Sequence, residues 1–227
     1  MPTVLVTGAN RGLGLEFVKQ YAADGWSVIA CCRNPLDAPE LAKVQGTIRT
    51  QSLDVADHRA VDRLADELTG VPIDLLINNA GLYGPKGGSY ADIDYAAWEE
   101  VLRVNVMSPI KVTVALLANL LAGDLKKLVT LTSKMGSMAD NGSGGAHIYR
   151  SSKAGVNAVM HSLALDLAPR GIASCLLHPG WVQTAMGGPN ALISPTESIS
   201  GMRRVIENLT LDEVGGVYNY TGDPIPW

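Results

Sequence analysis

Continuous apolar runs recur along this chain, and they alternate with longer segments in which apolar residues have helical spacing. Thr3–Thr7, Val28–Cys32 and Leu75–Asn78 are three such runs. Strands that are apolar on both faces are typical of a parallel sheet covered by helices on both sides. Repeated strand–helix units of this kind predict a doubly wound α/β sheet. We therefore expect a single Rossmann-type domain over residues 1–227, with a mostly parallel seven-stranded sheet and helices on both faces.

The remaining elements follow the same alternation. Strands are predicted at Ile48–Leu53, Leu128–Ser133, Ile172–His178 and Val217–Tyr220, and helices at Leu13–Ala23, Arg59–Thr69, Trp98–Asn105, Ile110–Leu121 and Tyr149–Leu167. Asp57 is placed to cap one helix, and Ser194-Pro195-Thr196-Glu197 has the form of a capping box that starts the last one. The loops Tyr83–Tyr90, Met135–Ala146 and Gln183–Ser194 follow strand ends, where ligands bind in open parallel sheets.

The bulk composition fits one globular domain and narrows the possible partners. The chain has 227 residues and is 47% hydrophobic, which is enough for a full core. Its net charge is -4 and no basic cluster is present, which argues against nucleic acid. The longest apolar stretch, Val112–Leu121, is short and contains Asn119, so it predicts a core helix and no membrane span.

The cysteine and histidine patterns argue against a disulfide-stabilised protein and against a metal-binding protein. Cys31, Cys32 and Cys175 are odd in number and two are adjacent, which disfavours a disulfide framework. A chain of this kind is expected in the reducing cytoplasm, and we see no secretory signal before the first strand. The four histidines share no metal-ligand spacing, so we predict no metal site.

Three glycines lie between the first strand and the first helix. Gly8, Gly12 and Gly14 would let backbone amides approach a negatively charged group that a side chain would block. The following helix N-terminus adds partial positive charge. The pattern therefore predicts a nucleotide held by its phosphates, and the alternative is a glycine-rich turn without a ligand.

The end of the second strand bears on which dinucleotide fits. The segment Ala30-Cys31-Cys32-Arg33-Asn34 holds no carboxylate that could bind the ribose hydroxyl of NAD. Arg33, together with Arg11 of the glycine turn, can instead meet a 2′-phosphate. We therefore expect NADP(H) to be preferred, with NAD(H) possible. The alternative is that both arginines are solvated surface residues.

Two further strand ends carry polar residues with two interpretations each. Asp54, followed by Val55, is placed to accept from an adenine amino group or to lead into a helix as a turn residue. Asn78-Asn79-Ala80-Gly81 would let the backbone pass close to a ribose. The asparagine amides are equally able to tie neighbouring strands together, and both roles are compatible.

Tyr149 and Lys153 are one helical turn apart and would share a helix face. A phenol with its ordinary pKa of about 10 is a poor acid–base group near neutrality, and a nearby ammonium is expected to lower that pKa. Ser133 ends the preceding strand, where its hydroxyl would bond a substrate carbonyl. Asn105 is a polar residue late in an apolar helix and is expected to hold a water or a helix bulge.

Three other residues near these motifs are less specific. His147 is placed to line a site, although a plain loop residue is the favoured interpretation. Trp181 and Met186 flank the loop after the sixth strand. They are candidates for an apolar substrate wall, but core packing is the favoured alternative.

The ordered set of motifs resembles the short-chain dehydrogenase/reductase family over essentially the whole chain. The set is Thr7-Gly8-x-x-x-Gly12-x-Gly14, Asn78-Asn79-Ala80-Gly81, Asn105, Ser133, Tyr149-x-x-x-Lys153 and His178-Pro179-Gly180. Within the family, the Ser-Lys-Met-Gly-Ser run, the glycine-rich insert before Tyr149 and the ending Ile225-Pro226-Trp227 are similar to the C-factor and sniffer-type carbonyl reductase branch.

The resemblance implies a role for each matched position. Tyr149 would be the general acid in reduction, Lys153 would lower its pKa and hold the nicotinamide ribose, Ser133 would polarise the carbonyl, and Asn105 would hold a relay water. The implied cofactor-binding residues are Gly8, Asn10, Arg11, Gly12, Leu13, Gly14, Arg33, Asp54, Val55, Asn79, Ala80, Gly81, Tyr149, Lys153, Pro179, Gly180, Val182 and Thr184. Homodimers or homotetramers through the helices Ile110–Leu125 and Tyr149–Leu167 are also implied.

The chain departs from the family pattern in three places. Thr132-Ser133 stands where two serines are usual, and Asp140–Gly145 looks inserted, which leaves Ser137 as a rival for the serine role. The loop between Thr184 and Ser194 is short, so an open, shallow cleft is expected.

The expected function is reduction of a small aldehyde, ketone or quinone with NADPH by a cytoplasmic enzyme. Two alternatives are kept. One is a nucleotide-binding signalling or regulatory protein with little turnover, against which the complete Asn105, Ser133, Tyr149 and Lys153 set argues. The other is an epimerase or dehydratase on the same scaffold, although those chains are generally longer.

Overall fold

The computed structural model describes residues 1–87 and 89–227, so that Gly88, inside the predicted loop Tyr83–Tyr90, lies outside the described residues. Within these ranges the strands are β1 Thr3–Thr7, β2 Ser27–Cys32, β3 Thr47–Ser52, β4 Leu75–Asn78, β5 Lys127–Leu131, β6 Ala173–His178 and β7 Gly216–Asn219. The α-helices are α1 Gly12–Ala23, α2 Pro39–Ala42, α3 His58–Glu67, α4 Tyr95–Leu102, α5 Ser108–Ala115, α6 Leu117–Ala122, α7 His147–Leu167 and α8 Pro195–Asn208.

The seven strands form one sheet in the order β3-β2-β1-β4-β5-β6-β7, and every pairing is parallel. The predicted doubly wound, Rossmann-type sheet is therefore confirmed. The order reverses at β1, where β2 and β4 lie on opposite sides, and such a switch point places a ligand at the carboxyl edge of the sheet.

Alternate residues of the strands pack into two separate apolar layers, because successive side chains point to opposite faces of the sheet. Val4 and Val6 of β1 pack in one layer with Phe17 of α1. Leu5 packs in the other, which includes Leu64 of α3 and further residues of α5, α6 and α7. The predicted helices on both faces of the sheet are thus confirmed.

Both predicted helix caps are present. The Asp57 carboxylate accepts from the Arg59 backbone N–H at 2.9 Å and starts α3. The Ser194 hydroxyl accepts from the Glu197 N–H at 3.1 Å and starts α8, with Pro195 at the first helical position.

The prediction of one helix over Ile110–Leu121, extended to Leu125 as an oligomer surface, is wrong. The helix is interrupted at Leu116, and α6 ends at Ala122. Gly123 lies so close to the start of β4 that a Cβ there would be 2.2 Å from the Ile73 carbonyl oxygen. This contact turns the chain away before the predicted end of the helix.

In the described part of the chain, no helix is long and apolar enough to cross a membrane. The same residues contain no group of three histidine, cysteine or acidic side chains arranged to hold a metal ion. Cys31, Cys32 and Cys175 are buried free thiols.

Candidate active site

The turn between β1 and α1 packs tightly against the end of β4. A Cβ on Gly14 would lie 2.1 Å from the Gly8 carbonyl oxygen, and one on Gly8 would lie 3.0 Å from the Ala80 Cα. Gly8 and Gly12 also have positive φ, at 68° and 55°. These glycines therefore have a packing role in addition to any role at a phosphate.

The first turn of α1 leaves backbone donors available at the carboxyl edge of the sheet. Arg11 is the N-cap, and its side chain makes no capping bond. The first N–H groups of a helix have no intrahelical partner, and they are suited to an anion. Asn10 and Leu13 belong to this turn, with Leu13 packed partly against the core.

A hydrogen-bond network joins β1 to β4 at this edge. The Thr7 hydroxyl accepts from the N–H groups of Asn79 and Ala80, at 3.0 and 3.1 Å. The Asn79 amide donates to the Thr7 and Gly8 carbonyls, at 2.8 and 3.2 Å. The structural interpretation of the asparagines thus holds, and contact of Asn79 with a ribose stays a prediction.

The glycine turn and the end of β2 each present one cation without a carboxylate partner. Arg11 and Arg33 are exposed, and neither forms an ion pair with any described residue. Asp54, at the end of β3, accepts from the Ala56 N–H at 3.0 Å in a local turn, and Val55 is buried beside it. A phosphate monoester is complementary in charge to guanidinium groups of this kind.

Tyr149 and Lys153 lie on the buried face of α7. Burial raises the pKa of Tyr149 to about 12, with a lowering contribution from the Ser133 hydroxyl and a raising one from Tyr83. Burial also lowers the pKa of Lys153 to about 8, and its ammonium donates to the Leu131 carbonyl at 2.9 Å. The expectation that the lysine lowers the pKa of the tyrosine is therefore wrong for the chain by itself, because desolvation dominates both groups.

The two rival serines have different surroundings. Ser133 is buried shortly after β5, its hydroxyl accepts from the Met135 N–H at 3.2 Å, and the same hydroxyl acts to lower the pKa of Tyr149. The Ser137 hydroxyl donates to the Trp227 carbonyl at 3.4 Å and accepts from the Asp140 N–H at 3.1 Å. Ser133 therefore influences the pKa of Tyr149, whereas the Ser137 hydroxyl is engaged by the backbone of Trp227 and Asp140.

Asn105 lies in a π-helical turn, Arg103–Met107, that follows α4. The predicted helix over Trp98–Asn105 thus ends in the bulge that the buried asparagine indicated. The Asn105 side-chain oxygen accepts from the Leu82 N–H at 2.8 Å, and its amide nitrogen donates to the Leu82 carbonyl and the Ser152 hydroxyl, at 2.7 and 2.9 Å. These bonds fix the chain after β4 against α7.

The segment after β6 closes the other side of the site. Gly180 has a φ of 82°, and the Pro179 carbonyl accepts from the Ser198 hydroxyl at 2.6 Å. Thr184 approaches the glycine turn, since a Cβ on Gly12 would be 3.7 Å from its methyl group. Val182, which is buried, bridges to Ile193.

The two histidines near the site, His178 at the end of β6 and His147 on α7, have different surroundings. His178 has no partner for its Nδ1 atom among the described residues, and burial lowers its pKa to about 4. It is therefore neutral near pH 7. His147 is exposed, but it is the first residue of α7, so the interpretation as a loop residue is wrong.

The loop between β5 and α7 is held by Arg150, a residue that sequence reasoning missed. Its guanidinium donates to the Gly144 carbonyl, the Met135 carbonyl and the Ser143 hydroxyl, at 3.2, 3.3 and 2.9 Å. The backbone of Trp227 accepts from the Ala139 N–H at 2.9 Å in the same loop. These contacts position the segment that connects Ser133 to the start of α7.

Tyr83 is a second residue that the sequence analysis did not single out. It lies just beyond β4, and its ring stacks on Tyr149 with centroids 4.4 Å apart. An aromatic residue directly after the Asn78–Gly81 strand end was the available signal. Trp181 and Met186 are 51% and 42% exposed, so the favoured prediction that they pack in the core is wrong.

These groups meet where a doubly wound sheet binds its ligand, so the fold and site define a Rossmann-type oxidoreductase. The family model for short chain dehydrogenases matches residues 2–191. The chain belongs to the short-chain dehydrogenase/reductase family, whose members use nicotinamide cofactors.

Particular relatives agree with the branch expected from the sequence. C-signal of Myxococcus xanthus is 44% identical over 156 residues, which are 69% of this chain and 93% of that protein. The carbonyl reductase Sniffer of D. melanogaster has a TM-score of 0.92 at 30% identity and covers 100% of both chains. A short-chain dehydrogenase/reductase from Burkholderia multivorans with bound NADP has a TM-score of 0.92 at 30% identity, with 100% and 99% covered.

Proposed function

We propose that the protein reduces small carbonyl compounds with NADPH. The observation that carries this proposal is the placement of buried Lys153, whose ammonium nitrogen is 5.8 Å from the Tyr149 ring centroid, and of the Ser133 hydroxyl, which acts to lower the pKa of Tyr149. Support comes from two relatives, since one is a carbonyl reductase and another holds NADP. Arg11 and Arg33 favour NADP(H) over NAD(H) through the 2′-phosphate.

Each side chain would have one task. NADPH, when bound, supplies the hydride. The Ser133 hydroxyl would donate a hydrogen bond to the substrate carbonyl oxygen, and Tyr149 would give that oxygen its proton. A phenol with a pKa of about 12 is protonated at neutral pH, which is the form that reduction requires.

Lys153 and Asn105 would support the proton transfer. The Lys153 ammonium, bonded to the Leu131 carbonyl, has two further N–H groups for a ribose hydroxyl or a water. Both amide N–H groups of Asn105 are already engaged. A relay water would therefore bind the remaining lone pair of its side-chain oxygen or a carbonyl of the π-helical turn.

The test is NADPH oxidation by the purified protein over a panel of aldehydes, ketones and quinones, beside Tyr149→Phe. We expect turnover that falls about 100- to 10,000-fold in this variant, while NADPH binding, followed by calorimetry, persists. Tyr90→Phe is the matched control, because Tyr90 is 81% exposed on a loop. Equal turnover in Tyr149→Phe and the wild type would reject Tyr149 as the proton donor.

One observation favours a second candidate function. The relative with 44% identity is named as a signal and not as an enzyme. A nucleotide-binding signalling protein would bind NADPH in the same calorimetric titration and would turn over no carbonyl on the panel. That pair of results would reject the reductase and favour this second function.

We also propose that the protein is a homo-oligomer. Ile110 of α5 and Ala158, Val159 and Leu163 of α7 line a shallow surface hollow, and Val114 and Leu165 nearby are 54% and 55% exposed. Burial of such a face by a second copy is favourable. Sedimentation analysis should give a dimer or tetramer, and Val159→Lys should give a monomer.

A further inference from the structure

A cation is held one aromatic ring away from the proposed proton donor. The Tyr83 ring stacks on Tyr149 at an interplanar angle of 23°. The Lys86 ammonium lies over the Tyr83 ring, 5.6 Å from its centroid, within the range of a cation–π contact. Lys86 and Tyr149 thus contact the same ring.

Lys86 also spans the cleft. It belongs to the segment after β4, and its ammonium donates to the Met186 carbonyl at 3.0 Å in the segment after β6. Trp181 of that segment is fixed by a 2.8 Å bond from its indole N–H to the Gly187 carbonyl. The lysine head group therefore lies between the Tyr83 ring and the Met186 carbonyl, in contact with both segments.

The Lys86 ammonium has hydrogen-bonding capacity left. It forms no ion pair with any carboxylate in residues 1–87 and 89–227. An ammonium has three N–H donors, and the Met186 carbonyl takes one. Two donors and a full positive charge face the solvent at this position.

Three other cations near Tyr149 are already engaged, whereas Arg11 and Arg33 belong to the proposed nucleotide side of the site. Lys134 pairs with Asp140 at 3.1 Å, Arg150 donates to the β5–α7 loop, and buried Lys153 donates to the Leu131 carbonyl. Among Lys86, Lys134, Arg150 and Lys153, Lys86 is therefore the exposed cation without a carboxylate partner in the described part of the chain.

We infer that Lys86 and Tyr83 form an anion subsite that selects carbonyl substrates bearing a carboxylate. The carboxylate would pair with the Lys86 ammonium, and an aromatic or other flat framework would lie along the Tyr83 ring. The carbonyl would then reach Tyr149. This inference names the substrate class of the proposed reductase and rests on that function.

The test compares 4-carboxybenzaldehyde with methyl 4-formylbenzoate, which has the same framework without the charge. The quantity measured is the ratio of kcat/KM for the acid to kcat/KM for the ester. We expect this ratio to fall about fivefold in Lys86→Met, as for a partly exposed ion pair, and to be retained in Lys86→Arg. In the wild type, added salt should lower the ratio by screening.

Lys43→Met is the charge-matched control, because Lys43 is an exposed lysine paired with Glu40 away from the cleft. It should leave the ratio unchanged. A ratio unaltered in Lys86→Met, or altered as much in Lys43→Met, would overturn the subsite while leaving the reductase intact.

A binding measurement separates this inference from the reductase itself. Calorimetry of 4-(hydroxymethyl)benzoate and its methyl ester in the presence of NADPH needs no turnover. Tighter binding of the carboxylate that is lost in Lys86→Met would support the subsite, even in a protein that reduces no aldehyde. Equal binding of the two ligands to the wild type would overturn it.

Discussion

The two halves of the carboxyl edge of the sheet are built in different ways. In the half proposed to bind the nucleotide, which we call the nucleotide half, backbone atoms approach closely at Gly8 and Gly14, and hydrogen bonds join Thr7 to Asn79. In the half proposed to bind the substrate, which we call the substrate half, exposed side chains such as Trp181 project from loops. Close backbone contact tolerates few residue types, whereas an exposed wall tolerates many. The first half is therefore constrained in sequence, and the second is free to vary with the ligand.

Gly14→Ala should test the constrained half and have the largest effect. Its methyl group would lie 2.1 Å from the Gly8 carbonyl oxygen and 2.6 Å from the Asn79 amide nitrogen. We expect a stability loss of about 3 kcal/mol or more in urea unfolding, since overpacking forces backbone shifts, and loss of NADPH binding.

Gly142→Ala is the control for this substitution. Gly142 is exposed on the loop before α7, and a Cβ added there would meet no atom within 4 Å. Equal stability of the two variants would contradict the packing argument for the glycine turn.

Ser133→Ala and Ser137→Ala together test which serine of the substrate half acts on the carbonyl. The Ser133 hydroxyl acts to lower the pKa of Tyr149, whereas the Ser137 hydroxyl hydrogen-bonds the backbone of Trp227 and Asp140. Ser133→Ala should lower kcat about 100-fold, as removal of an oxyanion donor does. Ser137→Ala should lower stability by about 1 kcal/mol with a much smaller change in kcat. The reverse pattern would assign the carbonyl to Ser137.

Lys153 lies where the two halves meet. Its shifted pKa predicts that the free energy of unfolding depends on pH. Its pKa is about 8 in the fold against 10.5 for an ordinary lysine. Between these values the unfolded chain binds a proton that the folded chain does not, so this group makes stability rise with pH. Relative to Lys153→Met, the nucleotide-free wild type should gain about 3 kcal/mol between pH 7 and pH 11.

Urea titrations of both proteins across that pH range would measure the difference. Tyr149 titrates in both proteins, and its contribution largely cancels. A difference that stays constant, or that falls with pH, would show that the Lys153 ammonium is not desolvated in the fold.

Arg33→Ser should have the smallest effect of these substitutions. It should change nucleotide binding alone. Loss of one guanidinium beside a 2′-phosphate should raise KM for NADPH about tenfold and leave KM for NADH nearly unchanged, as for one charge-assisted bond. Arg170→Ser is the control, because Arg170 is exposed ahead of β6. Equal changes for both cofactors would argue against a 2′-phosphate contact.

The sequence predicted the parts of the molecule that depend on local patterns. The apolar strands predicted the parallel sheet, and Asp57 and Ser194 predicted helix starts because capping is a short-range interaction. Asn105 predicted a helix bulge, since a buried amide in an apolar helix needs partners.

The parts that failed depend on contacts between distant segments. The interruption at Leu116 and the turn at Gly123 arise where the chain meets the start of β4. The Tyr83–Tyr149 stack joins two residues that are far apart in the chain. The pKa of Tyr149 depends on burial, which no spacing of residues reveals.

Thr184 lies beside the turn at Gly12, and this position has a consequence for the order of events in the proposed catalytic cycle. Under the proposed function, the loop that holds Thr184 would border both the substrate and the nucleotide phosphates. A nucleotide that orders the turn would then also order the loop. Binding free energies coupled in this way are reciprocal. We expect an ordered steady-state mechanism in which the nucleotide binds first and leaves last. The carbonyl compound would then bind to a cleft whose loop the bound nucleotide has already ordered.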